Sequence, residues 1–146
     1  MRKLPAALFF ILLTVYGGCG DSNEKVPPTI IPGQDVCDNC YMLINEEKYA
    51  AAVTLINGEE KRFDDISCML SYRHSNNEKI KYYWVYDYIS DISLQAEKAF
   101  YVKSKKEITP MGGGIIAFGQ REEAKNFADK ENKAVINFKE LVDNNN

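Results

Sequence analysis

YAAAVTLINGEEKRFDDISCML, residues 49 to 70, carries the pattern that decides the fold. Residues 49 to 55 read as a strand. Asn57-Gly58 is a strong signal for a tight hairpin turn, and EKRF, residues 60 to 63, returns as the partner strand. Asp64 or Asp65 can then cap a helix running to about His74, because a carboxylate accepts hydrogen bonds from the free amides of a first helical turn. Ile66, Met69, Leu70 and Arg73 recur at helical spacing and are mostly apolar. SNNEK is a loop, and KYYWVYDY, residues 81 to 88, is an aromatic strand.

The same order recurs downstream. AFYVKS (99 to 104) and GIIAFG (114 to 119) read as strands, REEAKNFADK (121 to 130) as a helix, and AVINF (134 to 138) as a closing strand. A shift of 55 residues lays Phe63 over Phe118 and Tyr72 over Phe127. The expected fold is α+β, with two ββαβ-like units packed into one small domain, since such units bury one face against each other. The terminal DNNN is expected to fray.

The chain opens MRKLPAALFFILLTVYGGCG. Arg2 and Lys3 precede an apolar run from Leu4 to Tyr16, which is short of the roughly 20 residues of a membrane-spanning helix. Residues 1 to 18 therefore read as a secretory signal peptide. Small residues before Cys19 resemble a bacterial lipobox, although Tyr16 stands where leucine is usual. That resemblance implies cleavage before Cys19 and lipid attachment to its thiol. Residues 19 to 34 then form the lipidated cysteine and a proline-containing flexible tether, and residues 35 to 143 the domain. The protein is expected to be exported and anchored to a bacterial envelope membrane, in the periplasm, where disulfides are permitted.

Removal of residues 1 to 18 takes away two cations and no acid, moving the formal charge from −3 to −5. Beyond KSKK at 103 to 106 there is no basic cluster, which argues against nucleic-acid binding. One histidine and no phosphate loop or dinucleotide fingerprint argue against the common hydrolase and cofactor-dependent enzymes.

Sulfur dominates what remains. CDNCYM, residues 37 to 42, places Cys37, Cys40 and Met42 together, and Cys68 follows downstream. Three domain cysteines cannot all be paired within one chain unless Cys19 stays unlipidated. A C-x-x-C redox motif favours a helix after a βαβ strand, and here it precedes the first strand. A disulfide between Cys37 and Cys40 would close a very short loop with little entropic gain. Zinc could draw on Cys37, Cys40, Cys68 and His74, but His74 falls near the helix end, where a cation serves the helix dipole.

Thioether sulfur suits Cu(I) and not zinc. In an extended segment Cys40 and Met42 would project to the same side. Met111 in TPMGGG is a second candidate, held by Pro110 beside three glycines that leave room for close approach. Cys68 near the start of its helix is a plausible thiolate donor, while Met69 fits the apolar face. Capping accounts for at least one of Asp64 and Asp65.

CDNCYMLI (37 to 44), RFDDISCML (62 to 70), YWVYDY (83 to 88), AFYV (99 to 102) and TPMGGGIIAFG (109 to 119) together resemble the NosL family, bacterial lipoproteins associated with copper delivery to nitrous oxide reductase. The resemblance implies a Cu(I)-binding accessory protein rather than an enzyme. Its copper donors would be Cys40, Met42 and Met111 first, with Cys37 and Cys68 behind them. Its partner would be a copper-accepting enzyme or its assembly machinery. Tyr41 departs from the glycine that the family often carries before the methionine. Two other functions stay open: an exported thiol-disulfide protein using Cys37 and Cys40, and a zinc-stabilised or metal-free interaction domain. The sequence leaves the oligomeric state open.

Overall fold

The computed structural model describes residues 25 to 145. Seven strands and three helices run β1 (Ala51–Leu55), β2 (Glu60–Phe63), α1 (Ile66–Ser75), β3 (Ile80–Tyr86), β4 (Ser93–Gln95), β5 (Phe100–Lys103), β6 (Ile115–Phe118), α2 (Arg121–Asp129), β7 (Val135–Ile136) and α3 (Phe138–Asp143). Short 3-10 turns precede β1 and β5.

The hairpin falls where Asn57-Gly58 places it. Gly58 donates to the Leu55 carbonyl at 3.0 Å, and Leu55 N–H bonds the Glu59 carbonyl at 2.8 Å. This makes a three-residue loop, with Gly58 at φ 90° supplying the left-handed position that closes it. β1 then lies between β2 and β3, antiparallel to both. Covered on both faces, its Ala51, Ala52 and Val53 are fully buried.

The second unit repeats that plan. β5 lies between β6 and β7, again antiparallel to both. The rings matched by the 55-residue shift do equivalent work. Phe63 meets Tyr72 at 5.1 Å, and Phe118 meets Phe127 at 5.6 Å, each fixing a helix over its own hairpin. The larger core draws on both units, joining Val53, Phe63, Ile66, Met69 and Val85 to Tyr101, Ile115 and Ala117. A smaller core under α2 gathers Val102, Ile116, Phe118, Ala124 and Ala128. Among the described residues, the buried members of both cores lie between Ile30 and Leu141.

Two expectations need correction, and one element was not foreseen. AVINF is a strand only over Val135–Ile136, because Asn137 starts a helix instead. Its side chain accepts from Glu140 N–H at 2.9 Å while Glu140 accepts from Asn137 N–H at 2.8 Å. This capping box drives Leu141 into the core. The stretch before residue 35 is not all tether. Ile30 is 3% exposed, and the Arg62 side chain donates to the Thr29 carbonyl at 2.7 Å. The short β4 on the edge of the first sheet, paired to β3, had no distinct signal. Cys19 and the signal peptide expected over residues 1 to 18 lie outside the described residues.

One buried carboxylate clips the two sheets together. Tyr88 N–H bonds the Ala117 carbonyl at 2.9 Å, beside a parallel bridge between Asp87 and Ala117. Asp87 accepts from Gly119 N–H at 2.7 Å, from Ser90 N–H at 2.9 Å and from the Ser90 hydroxyl at 2.6 Å. Burial disfavours its charge, but these donors outweigh burial and hold its pKa below the ordinary value. Its stabilising contribution is therefore complete above the ordinary carboxylate pKa near 4 and is lost as pH falls through the lower folded-state value. Asp87→Ala is expected to cost about 3 kcal/mol in urea unfolding at pH 7, with a smaller difference from the parent below about pH 3. An unchanged midpoint at pH 7 would contradict this role for the clip.

Candidate metal centre

The cysteine loop is built by backbone hydrogen bonds. Val36 and Leu43 form an isolated antiparallel bridge. Within it, Cys37 N–H bonds the Met42 carbonyl at 2.8 Å, and Tyr41 N–H returns to the Cys37 carbonyl at 2.9 Å. This wraps residues 37 to 41 into a turn, so Cys40 and Met42 do not sit on one extended face as expected. Tyr41 takes φ 63°, the left-handed region that glycine enters most easily. Its ring is 80% exposed, pointing into solvent rather than capping the cysteines.

The loop is fastened to β2. Asp38 N–H bonds the Arg62 carbonyl at 2.8 Å, and Arg62 N–H bonds the Asp38 carboxylate at 2.7 Å. Two residues past Arg62 comes Asp64, which this pairing brings up to the cysteines. Asp65, not Asp64, is the N-cap of α1, accepting from Ser67 N–H at 2.6 Å and from the Ser67 hydroxyl at 2.5 Å. With the cap filled by its neighbour, Asp64 is left facing inward at 1% exposure. Cys68 is the third residue of the helix.

The result is a cluster of Cys37, Cys40, Cys68 and Asp64, whose ligand atoms all lie within 4.8 Å of one another. All three cysteines are free thiols. Cys37 and Cys68 are buried and Cys40 is half-buried. The Cys40 thiol donates to Asp64 Oδ2 at 3.4 Å, and Asn39 Nδ2 donates to Cys68 Sγ at 3.6 Å. Burial pushes the Cys37 thiol up to about 11, although the amides of Cys40, Asp64 and Asn39 favour its thiolate. Burial raises Cys68 further still, against the hydrogen bond from Asn39. A metal ion must therefore displace protons from these two sulfurs at neutral pH.

Met42 and Met111 are about half exposed, at 50% and 45%. Met111 N–H donates to Asp65 Oδ2 at 3.2 Å, so its loop is tied to the residue next to Asp64. Gly113 packs against Ser67, where a Cβ would fall 2.6 Å from the hydroxyl oxygen. The TPMGGG loop therefore sits on the first turn of the helix that carries Cys68. His74 is exposed in the last turn of α1, six residues beyond Cys68 and about 9 Å along the axis. The zinc set drawn from three cysteines and His74 is not assembled.

Asp64 is the member that the sequence reading missed. Its signal was the doubled aspartate itself, since one helix N-terminus needs only one N-cap.

A family model named NosL matches residues 28–145. A solved structure titled as the copper chaperone NosL from Shewanella denitrificans is similar in fold, with a TM-score of 0.67 and 21% identity. The likeness covers 77% of this chain and 93% of that one. No curated protein matches the chain significantly.

The thiols differ enough in burial to be told apart without any metal. Brief iodoacetamide labelling of the reduced protein at pH 8 is expected to modify Cys40 first. Cys37, at a pKa of about 11, should lag an ordinary thiol by roughly a hundredfold from thiolate fraction alone. Equal labelling of all three, read by peptide mass spectrometry, would contradict the buried cluster.

Proposed function

The chain belongs to the NosL family, and from that premise we propose that it is a Cu(I)-binding lipoprotein acting as a metallochaperone. The observation that carries this reading is the convergence of three thiols from two distant segments, beside a loop bearing a thioether. Soft sulfur donors select Cu(I) over harder ions. The similar fold of a protein titled as a copper chaperone supports it.

In this reading copper is cargo. Cys40 and Met42, on the half-exposed side of the cysteine loop, meet the ion first, with Met111 completing a low-coordinate site. Cys37 and Cys68 are reserve donors that take copper only as they lose their protons. A site short of four ligands leaves room for a recipient's sulfur to bind before the donor's sulfur leaves. Transfer then runs by ligand exchange toward the tighter site. The recipient is a copper-accepting enzyme or its assembly machinery, nitrous oxide reductase being the family's association. Lipid attached at Cys19 would hold the domain at an envelope membrane, where tethering raises its effective concentration near a membrane-associated partner.

An anaerobic Cu(I) titration of reduced residues 20 to 146 against a competing chelator tests the donor set. Met42→Ala with Met111→Ala is expected to weaken binding at least tenfold, about 1.4 kcal/mol. Cys40→Ser is expected to weaken it by about a hundredfold. Equal affinity in the methionine variant would mean that the cysteines alone hold copper, and thiol-disulfide exchange at Cys37 and Cys40 would become the better reading.

A further inference from the structure

The basic cluster KSKK, residues 103 to 106, takes no part in the copper reading. In the fold it borders a cavity of about 670 Å3 beside the loop that carries Met111. Lys103, Lys105 and Lys133 line that cavity, with Gly112 and Gly113 from the loop and Ile136 from β7. Three cations therefore stand against one acid, Glu107, in a chain whose formal charge is −3. That acid is already engaged, because its carboxylate accepts from the Tyr88 hydroxyl at 2.8 Å and from the Tyr49 hydroxyl.

The protein itself does not neutralise these lysines. Among the described residues, Lys103, Lys105 and Lys133 form no ion pair. The nearby Glu131 carboxylate accepts from the Ser104 hydroxyl at 2.8 Å and from Lys105 N–H at 3.2 Å, and the cation that acts on it is Lys106. Buried Ser104 also accepts from Lys106 N–H at 3.0 Å and Glu107 N–H at 2.9 Å, which fixes the turn that carries the cluster. Like charges gathered in this way repel one another, and an anion among them relieves that repulsion. The glycine loop adds a donor. Gly112 N–H and Gly114 N–H are taken by Thr109 at 2.9 Å and 3.1 Å, while Gly113 N–H has no acceptor among the described residues.

We propose that this cavity binds a phosphate monoester, the three lysines and Gly113 N–H holding the phosphate. Ammonium groups and free backbone N–H groups are the donors that phosphate oxygens take. A monoester offers three terminal oxygens and close to two negative charges at neutral pH, so one group can meet several lysines at once. The volume lies within the roughly 300 to 1,000 Å3 of small-molecule sites, which leaves room for the carbon that the phosphate is attached to. Ile136 and Ala134 give that part an apolar wall. Two sources carry this chemistry, a soluble phosphate ester and the headgroup of phosphatidic acid. Gly112 and Gly113 follow Met111 directly, so the occupant would rest against the loop that bears the thioether. The site goes beyond the copper reading and does not depend on it.

The test follows the backbone amides of the full chain by NMR, in neutral detergent micelles, without metal and at fixed ionic strength. One arm adds glycerol 3-phosphate, a second mixes phosphatidic acid into the micelles, and a third adds a tri-glutamate peptide. At least one phosphate probe is expected to give saturable shifts at Lys105, Gly112 and Gly113. Lys105→Gln with Lys133→Gln is expected to weaken that binding at least about tenfold, through the loss of two charge-assisted contacts. Saturation by glycerol 3-phosphate supports a soluble ester, and saturation by phosphatidic acid alone supports a lipid headgroup. Saturation by neither phosphate probe overturns the proposal, and saturation by tri-glutamate alone does so in favour of an acidic protein segment. Equal affinity in parent and double variant also overturns it. Should the double variant fail to fold, Lys103→Gln, an exposed side chain on β5, decides in the same way: weaker binding supports the site and unchanged binding overturns it.

Discussion

The first turn of α1 exposes amides that nothing inside the helix can satisfy, and Asp65 answers them. The same carboxylate that accepts from Ser67 also takes Met111 N–H at 3.2 Å. One side chain thus starts the helix that carries Cys68, anchors the loop that carries Met111, and relieves Asp64 of any capping duty. Freed in this way, Asp64 turns toward the cysteines. On the other side the paired hydrogen bonds between Asp38 and Arg62 bring the cysteine loop to the end of the same strand. Two local hydrogen-bond accounts, one at a helix start and one along a strand edge, assemble a pocket from segments 28 residues apart between Cys40 and Cys68.

The repeat shows how the scaffold and the chemistry separate. At the shift of 55, Phe63 and Tyr72 have ring partners of equivalent role in Phe118 and Phe127. Asp64, Asp65 and Cys68 fall on Gly119, Gln120 and Glu123. Gln120 makes no side-chain cap, and no acid stands in the position of Asp64. The second unit keeps the packing and none of the cysteines, its one sulfur donor being Met111 in the loop before β6. Gly119 instead lends its N–H to Asp87, so the position that binds in one unit joins the units in the other.

Much of this was legible because it rests on short-range patterns. Asn57-Gly58, the doubled aspartate and the helical spacing of Ile66, Met69 and Leu70 set the first ββα run, and the repeat set the second. What escaped depends on contacts or on competing local signals. Asn137 and Glu140 form a capping box, yet AVINF before them looks like strand, and α3 was hidden by that overlap. The turn at Tyr41 could not be read from a non-glycine residue, whose usual preference is for negative φ. Asp64 looked like a spare cap until the long-range pairing of Asp38 with Arg62 showed what lies against it. The donor types were visible in the sequence, but the geometry that separates thiols from thioethers was not.

The grip of Arg62 on Thr29 shortens a leash. With Ile30 buried and the Pro28 carbonyl accepting from the Tyr86 hydroxyl at 3.4 Å, the domain starts seven residues before Asp35. Of the stretch read as tether, residues 28 to 34 belong to the packed domain. At about 3.4 Å per extended residue, taking seven residues out of a tether shortens its maximum reach by about 24 Å. Arg62 is also the residue that pairs with Asp38, so the leash meets the domain within one side chain's length of the cysteine loop. An attachment entering the domain there would keep the cysteine loop beside it, and a recipient would meet that loop on the same side.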